Sequence, residues 1–99
     1  MEIEVLSKDS KSIELRIRGE GHTLLNMLVD ELNKDPHVSY AAYSVDHPLI
    51  DEARLIIVTD GSINPFEALK KAVNNLKDLL KDLRVQVIDA IRGAEEKGS

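Results

Sequence analysis

Residues 19–48 read GEGHTLLNMLVDELNKDPHVSYAAYSVDHP, which places a glycine loop, a helix, a turn and a strand in succession. We predict that Thr23 caps the helix, because its hydroxyl can accept a hydrogen bond from a first-turn amide. The helix spacing then gathers five apolar side chains on one face: Leu24, Leu25, Leu28, Val29 and Leu32. Asp35-Pro36 ends the helix, since a residue before proline is disfavoured in the α region. An amphipathic helix of about three turns therefore organises the chain.

The strand that follows is predicted from Val38 to Val45. Strict alternation would place Tyr40 and Ala42 on the same face as Val38. The opposite face would carry Ala41, Tyr43 and Val45. Both faces are partly apolar, which indicates a strand that is covered on more than one side.

Three further strands surround this unit. Period-two alternation over Glu2–Val5 and Ile13–Arg18 predicts a hairpin with a polar turn at Ser7–Lys11. A fourth strand is predicted over Arg54–Thr59, and Asp60-Gly61-Ser62 then turns the chain out of the sheet. The order is ββαββα, which predicts a single α+β domain. We expect one mixed or antiparallel four-stranded sheet with both helices on one side.

The last predicted element is a long helix from Pro65 to Arg92. It begins with Asn64 as N-cap, proline at the first helical position and Glu67 at the third, and Gly93 is a natural stop. Its apolar positions repeat every 3.5 residues on average: Phe66, Leu69, Val73, Leu76, Leu80, Leu83, Val87 and Ala90. The domain is therefore predicted over residues 1–92, followed by a flexible polar tail over residues 93–99.

This helix would be longer than its own sheet. It would measure about 42 Å, whereas strands of six or seven residues span about 20–24 Å. An apolar stripe that the chain itself does not cover marks an interaction surface. The alternative is a bend near Asp82 that folds the second half back onto the sheet.

Burying four or five aliphatic side chains of this helix against a partner gives about 6–12 kcal/mol, whereas association itself costs about 4–15 kcal/mol. We therefore expect both helices to pack against a partner.

Composition restricts the function classes. The chain of 99 residues has no cysteine, so disulfides and thiolate metal sites are excluded. The net charge is −5, the positive charges are dispersed and only three aromatic residues are present, so direct nucleic-acid contact is not expected. Its longest apolar run, Leu55–Val58, is far below the ~20 residues that span a bilayer. With no export signal after Met1, the expected location is the cytoplasm.

Catalytic, metal and small-molecule sites are all weakly supported, and none is predicted. His47 lies near Asp46, Asp51 and Glu52, but the spacing matches no recurrent metal-ligand motif. Gly19-Glu20-Gly21 before a helix suggests an anion pocket, yet it lacks the lysine of a phosphate loop, and Glu20 would repel phosphate. We expect no cofactor and no small-molecule substrate.

Several motifs resemble a known family. They are His22-Thr23-Leu24, Asn26, Leu28, Leu32, Lys34-Asp35-Pro36, Tyr43, His47-Pro48-Leu49 and Asn64-Pro65-Phe66-Glu67-Ala68. This pattern is similar to the small α-like subunits of multi-subunit RNA polymerases, which include archaeal subunit L and are related to the dimerising domain of the bacterial α subunit. The family often has glycine after the leucine of His-Thr-Leu, whereas this chain has Leu25. A side chain at that point must be accommodated by the sheet or by a partner.

The resemblance implies a non-catalytic subunit that assembles a polymerase for transcription. It implies a heterodimer with the larger α-like subunit, called D in archaea. With the small zinc-binding subunits N and P, this heterodimer would form the platform for the two large catalytic subunits. The implied interface residues are Thr23, Leu24, Asn26, Leu28, Val29, Leu32, Leu69, Val73, Leu76, Leu80, Leu83 and Val87. The competing hypothesis is a stand-alone homodimeric α+β domain that binds a small anionic ligand near Gly21.

Overall fold

The structure is a computed structural model that describes residues 2–19, 22–45, 52–76, 89–90 and 92–93. Its elements follow the predicted ββαββα order. They are β1 (Glu2–Lys8), β2 (Ser12–Arg18), α1 (His22–Asn33), β3 (Val38–Val45), β4 (Glu52–Thr59) and α2 (Pro65–Asn75). The α+β class predicted from the sequence is confirmed.

The four strands form one antiparallel sheet in the order β1-β2-β4-β3. β4 inserts between β2 and β3, so the chain crosses from β2 through α1 to the far edge and then returns to the centre. In the two central strands, Leu15 lies opposite Leu55 and Ile13 opposite Ile57, and all four side chains are buried. Both helices cover this apolar face, and within the described ranges neither α1 nor α2 packs on the other face, which we call the open face.

A bulge in β3 changes the predicted faces of that strand. The register shifts between Val38 and Tyr40, so Ser39 is an extra residue in the ladder. Val38 therefore turns to the buried side with Ala41, while Tyr40 is 51% exposed on the open face. The prediction that Val38 and Tyr40 share a face was wrong, because one inserted residue reverses the alternation.

α1 begins two residues earlier than predicted, since an N-cap at Thr23 would make Leu24 the first helical residue. Its first helical residue is His22, so Thr23 lies inside the first turn and is not the N-cap. The N-terminal approach contains Gly19, whose φ of 85° is a conformation that side chains disfavour.

α2 starts as predicted but ends early. The side chain of Asn64 accepts a hydrogen bond from the Phe66 amide at 2.8 Å, and Pro65 follows at the first helical position. The helix stops at Asn75, and Leu76 leaves the helical region with φ −108° and ψ 18°. The prediction of one continuous helix to Arg92 is not confirmed. Two consecutive asparagines weaken this turn, since asparagine side chains compete for backbone hydrogen bonds.

Residues 77–88 and 94–99 lie outside the described residues. The bend near Asp82 and the predicted boundary at residue 93 therefore stay predictions. Asp89–Ala90 and Arg92–Gly93 are helical, and Ala90 and Gly93 line a cleft together with β1 and β2.

Candidate protein-binding surface

The two helices lie side by side and antiparallel. Asn75 at the end of α2 donates to the Glu31 carboxylate of α1 at 3.2 Å. Four residues earlier in α2, Lys71 lies 3.5 Å from the carboxylate of Asp35, which is four residues later than Glu31. Opposite steps along the two chains mean opposite helix directions. This pair of helices forms a layer whose outer side faces away from the sheet, and we call it the helix face.

Four of the predicted interface residues fill the core of the chain itself. They are Leu28, Leu32, Leu69 and Val73, each no more than 1% exposed. Their side chains pack between the helices and the sheet. In this arrangement they support the helix face from beneath and present no surface to a partner.

The other predicted interface residues differ in exposure. Thr23 and Asn26 are exposed, while Leu24, Val29 and Leu76 are half-buried against the edge of the core. Leu80, Leu83 and Val87 lie outside the described residues.

Three half-buried apolar residues lie at the end of α2 or on the flank of α1 that is directed toward it. Met27 and Leu24 precede Glu31 by four and seven residues, so they share its flank of α1. Because Glu31 binds Asn75, that flank faces the end of α2, where Leu76 follows directly. Leu24, Met27 and Leu76 are all half-buried, and we call them the helix-end patch. The predicted interface residues included Leu24 and Leu76 but not Met27, which the helical spacing places at the margin of the apolar face of α1.

A groove of about 170 Å³ lies between the two helices, and its lining extends from Glu31 and Asn75 to the turn after α1. Ala68 and Ala72 form its floor, and Asp35 and Lys71 form part of its wall. The Oδ1 atom of Asp35 accepts from the His37 amide at 2.9 Å. The Oδ2 atom is buried and, among the described residues, has no hydrogen bond, so the Lys71 ammonium 3.5 Å away is its charge partner. This ion pair joins α2 to the turn after α1.

These helices are part of a known domain type. The family model for the RNA polymerase Rpb3/Rpb11 dimerisation domain matches residues 12–86 of the sequence. The chain belongs to this family. The matched segment begins at β2 and includes both helices, so it contains the whole helix face.

Curated relatives from several archaea agree with this assignment. DNA-directed RNA polymerase subunit Rpo11 of Pyrococcus abyssi is 37% identical over 95 residues, covering 94% of this chain and all of the relative. Subunit Rpo11 of Saccharolobus solfataricus is 42% identical over 93 residues, covering 94% of this chain and 97% of the relative. The family relationship therefore extends over nearly the full length of both proteins.

A solved structure shows the same fold. The crystal structure of DNA-directed RNA polymerase subunit L from Thermoplasma acidophilum aligns with a TM-score of 0.69 at 34% sequence identity. The alignment covers 95% of this chain and 92% of that one. The resemblance read from the sequence is confirmed.

The structure answers the question raised by Leu25. Its side chain is 2% exposed and belongs to the core cluster. The larger residue at this position of the family motif is thus accommodated by the chain's own sheet, and it needs no partner to cover it.

Asn33 was not predicted as a functional residue, yet it joins α1 to the outer edge of the sheet. Its Nδ2 donates to the Ala41 carbonyl at 3.0 Å, and its Oδ1 accepts from the Ala41 amide at 3.1 Å. The side-chain amide thus reproduces the pair of hydrogen bonds that a neighbouring strand would make. This contact fixes the C-terminal end of α1 on β3. Nothing in the sequence distinguishes Asn33 from an ordinary residue at a helix end.

A cluster of three polar residues links the start of β3 to the loop before α2. The Ser62 hydroxyl lies 2.8 Å from Nδ1 of His37 and also donates to the Asp60 carboxylate. In a serine nucleophile arrangement the serine bonds only to the histidine, whereas here the Ser62 hydroxyl donates to the aspartate, and Nδ1 of His37 lies 3.6 Å from the Asp60 carboxylate. Hydrogen bonds from the Ser62 side chain and amide, followed by those of His37, hold the pKa of Asp60 below its ordinary value. The cluster of His37, Asp60 and Ser62 is exposed. Its hydrogen bonds join the start of β3 to the loop before α2, and we call it the loop clasp.

The open face of the sheet carries a cluster of ion pairs. Arg16 lies 2.7 Å from Glu4 and 2.9 Å from Glu52. Arg18 lies 3.2 Å from Glu52 and 3.5 Å from Glu2. The hydrogen bond and charge of Glu52 raise the pKa of Arg18 above its ordinary value. Exposed pairs of this kind contribute little individually, so the cluster mainly fixes the side chains of the open face.

Other sites considered from the sequence find no further support. Within the described ranges, no group of three or more His, Asp or Glu side chains could hold a metal ion. His47 and Gly21, around which a metal site and an anion pocket were considered, lie outside those ranges. No helix in the described part of the chain is long and apolar enough to cross a bilayer.

Proposed function

We propose that this chain is the small α-like assembly subunit of an archaeal RNA polymerase, and that its helix face binds the larger α-like subunit, called D in archaea. The proposal rests on family membership over residues 12–86 and on the position of the helix face on one side of the sheet. The chain contributes no catalytic group. Its role is to complete a heterodimer on which the rest of the enzyme assembles in the cytoplasm.

The helix-end patch is the observation that carries this proposal. Leu24, Met27 and Leu76 are half-buried, so each retains apolar surface that a partner can cover. Fully burying an aliphatic side chain gives about 1.5–3 kcal/mol, and part of that gain is already realised in the isolated chain. Association costs about 4–15 kcal/mol, so the patch alone does not hold a dimer. Further apolar contacts are required, and Leu80, Leu83 and Val87 are the proposed source.

The heterodimer would serve as a platform. The small subunits N and P and the two large catalytic subunits are its proposed neighbours, and nucleotidyl transfer would occur on the large subunits. Direct nucleic-acid binding is not part of this role, because the chain carries a net charge of −5 and its phosphate contacts would be unfavourable.

The test is co-purification with a tagged copy of the larger α-like subunit. Met27→Glu introduces a charge into the helix-end patch and should reduce recovery of the complex by about tenfold or more, because a buried unpaired charge is strongly unfavourable. Leu80→Asp should abolish recovery for the same reason. Ser44→Glu is the control, since Ser44 is exposed on the open face and lies away from the helices.

Recovery of Met27→Glu and Leu80→Asp at the level of the unmodified chain would contradict the proposed interface. Circular dichroism of each variant distinguishes this result from misfolding. A variant that keeps its helical and strand signal but no longer binds the larger α-like subunit supports a surface role.

A further inference from the structure

The two edges of the sheet differ in how their backbone groups are satisfied. At the β3 edge, Asn33 occupies both hydrogen-bonding groups of Ala41, and a bulge follows Val38. At the β1 edge, the described residues provide no hydrogen-bond partner for the outward backbone groups of Glu2–Val5. Such groups are a template for an additional strand.

A cleft of about 540 Å³ lies beside this edge and extends over the neighbouring strand, where Arg16 and Arg18 of β2 also line it. Four consecutive residues, Glu2–Val5, line one wall, so the cleft follows the strand backbone and touches both faces of the sheet. Ala90 and Gly93 line the other wall with little side-chain bulk. The regular ladder ends at a bulge between Val5 and Ser7, which leaves about four residues, or about 13 Å, for pairing. The volume and length suit a short extended segment.

The two sides of β1 differ in chemistry. Ile3 and Val5 are half-buried on the side of the helices. Glu2 and Glu4 have side chains that are 75% and 60% exposed on the open face. Arg16 and Arg18 are the cations within ion-pair distance, and both are shared with Glu52. Among the described residues two guanidinium groups therefore serve three carboxylates, so Glu2 and Glu4 share their cations with Glu52 and their charges are incompletely neutralised.

We propose that the β1 edge binds an extended segment of another protein in which aliphatic and basic residues alternate. Main-chain hydrogen bonds to Glu2–Val5 would extend the sheet by one strand. Because successive side chains of a strand point to opposite faces, the aliphatic residues would contact Ile3 and Val5 while the basic residues would pair with Glu2 and Glu4. This site is separate from the helix face and does not depend on the partner proposed for that face.

Two other occupants are disfavoured by charge. A second copy of the chain pairing through its own β1 would bring glutamates against glutamates. The chain's C-terminal residues include Glu95 and Glu96, which would also approach Glu2 and Glu4 with like charge. The alternating pattern of apolar and basic residues is the one that satisfies both sides of the strand.

The experiment uses the full chain labelled with ¹⁵N, free or in its co-purified complex, and a capped peptide of alternating lysine and valine. Addition of this peptide should shift the amide resonances of residues 2–5 and slow their hydrogen exchange. Binding should weaken as salt is raised, because exposed charges are screened. A peptide of alternating glutamate and valine should bind at least about tenfold more weakly, since its charges oppose those of β1.

Two double variants with the same change in net charge distinguish binding at the β1 edge from attraction to the overall charge of the chain. Glu2→Lys/Glu4→Lys should weaken binding of the lysine–valine peptide by about tenfold. Glu14→Lys/Glu67→Lys removes the ion pairs to Arg54 and Lys70 elsewhere on the surface and should leave binding within about twofold.

Equal weakening by both double variants would overturn the proposal, because it would indicate attraction to overall charge. Equal binding of the two peptides, or no change at residues 2–5, would also overturn it. If deleting residues 94–99 accelerates amide exchange at residues 2–5, the chain's own tail occupies the edge and the proposal fails.

Discussion

At the scale of single residues, Asn33 shows how one side chain can replace a strand. Its side chain forms hydrogen bonds with both the amide and the carbonyl of Ala41, a residue that is only 5% exposed. Sequence patterns did not reveal this contact, because an asparagine at a helix end is compatible with many solvent-exposed arrangements. The partner residue lies eight positions away in another element, so only the folded arrangement brings the two together.

Asn33→Ala should destabilise the chain by about 1–3 kcal/mol, because it leaves two backbone groups of Ala41 without partners. The free energy of unfolding in urea measures this change. Asn26→Ala is the matched control, since Asn26 lies exposed on the same helix and its replacement should change stability by no more than about 0.5 kcal/mol. Equal stability of the two variants would show that the Asn33 contact contributes nothing.

Asp60 should make stability depend on acid pH. Its pKa in the folded chain lies below 3.8, chiefly because the Ser62 hydroxyl and amide donate to it. The Asp60 carboxyl therefore binds a proton less readily in the folded state than in the unfolded state. Its contribution to stability is fully present above the unfolded pKa of 3.8 and is lost as the pH falls through the lower pKa of the folded state. Ser62→Ala should move the pKa of Asp60 toward 3.8 and reduce that loss.

NMR titration of the Asp60 carboxyl measures this shift directly. The pKa of Asp9, which is lowered by its own hydrogen bonds to Lys11 and Ser12, should stay unchanged in Ser62→Ala. If the pKa of Asp60 in the unmodified chain lies at or above its ordinary value, the hydrogen bonds of the loop clasp do not stabilise the Asp60 carboxylate.

At the scale of elements, the sequence predicted which residues are apolar better than where each element stops. The spacing of Phe66, Leu69 and Val73 correctly predicted an apolar side of α2, but Leu69 and Val73 were assigned to a partner interface, and all three are buried in the chain's own core. The same repeat continues past Asn75, but an apolar period carries no information on whether the backbone stays helical. The bulge at Ser39 was missed for a related reason, since alternation is read from side chains and an inserted residue alters only the ladder.

Leu69 and Leu76 should separate core stability from partner binding. Leu69→Ala should cost about 2–5 kcal/mol, because it leaves a cavity between α2 and the sheet. Leu76→Ala should lower the free energy of unfolding of the isolated chain less than Leu69→Ala does, since the Leu76 side chain is only half-buried. Relative to its smaller loss of stability, Leu76→Ala should reduce recovery of the larger α-like subunit more than Leu69→Ala does.

Chemical denaturation and co-purification of both variants measure these two quantities. If Leu76→Ala is as unstable as Leu69→Ala and recovers the larger α-like subunit normally, Leu76 belongs to the core and not to the binding surface.

At the scale of the whole molecule, the two sides of the domain differ in chemistry. The open face carries ion pairs, whereas the helix face carries half-buried apolar side chains. Neither the strand order β1-β2-β4-β3 nor the position of the free edge could be predicted from the sequence, because several orders satisfy the same pattern of buried residues. The family resemblance, in contrast, was specific enough to identify the fold and the class of assembly.

Binding of the larger α-like subunit should stabilise the folded chain. The melting temperature should rise with the concentration of that partner, because a protein that binds only the folded state shifts the unfolding equilibrium. Differential scanning fluorimetry or calorimetry at several ratios of the two proteins measures this effect. A melting temperature of the chain that is independent of the partner concentration would contradict heterodimer formation.

The asymmetry between the sheet edges limits uncontrolled polymerisation. A fibril that grows by strand addition needs a growing end and a receiving end on every copy. The side chain of Asn33, together with the nearby bulge, blocks one of these ends at Ala41. Propagation by this route would then terminate after a single addition.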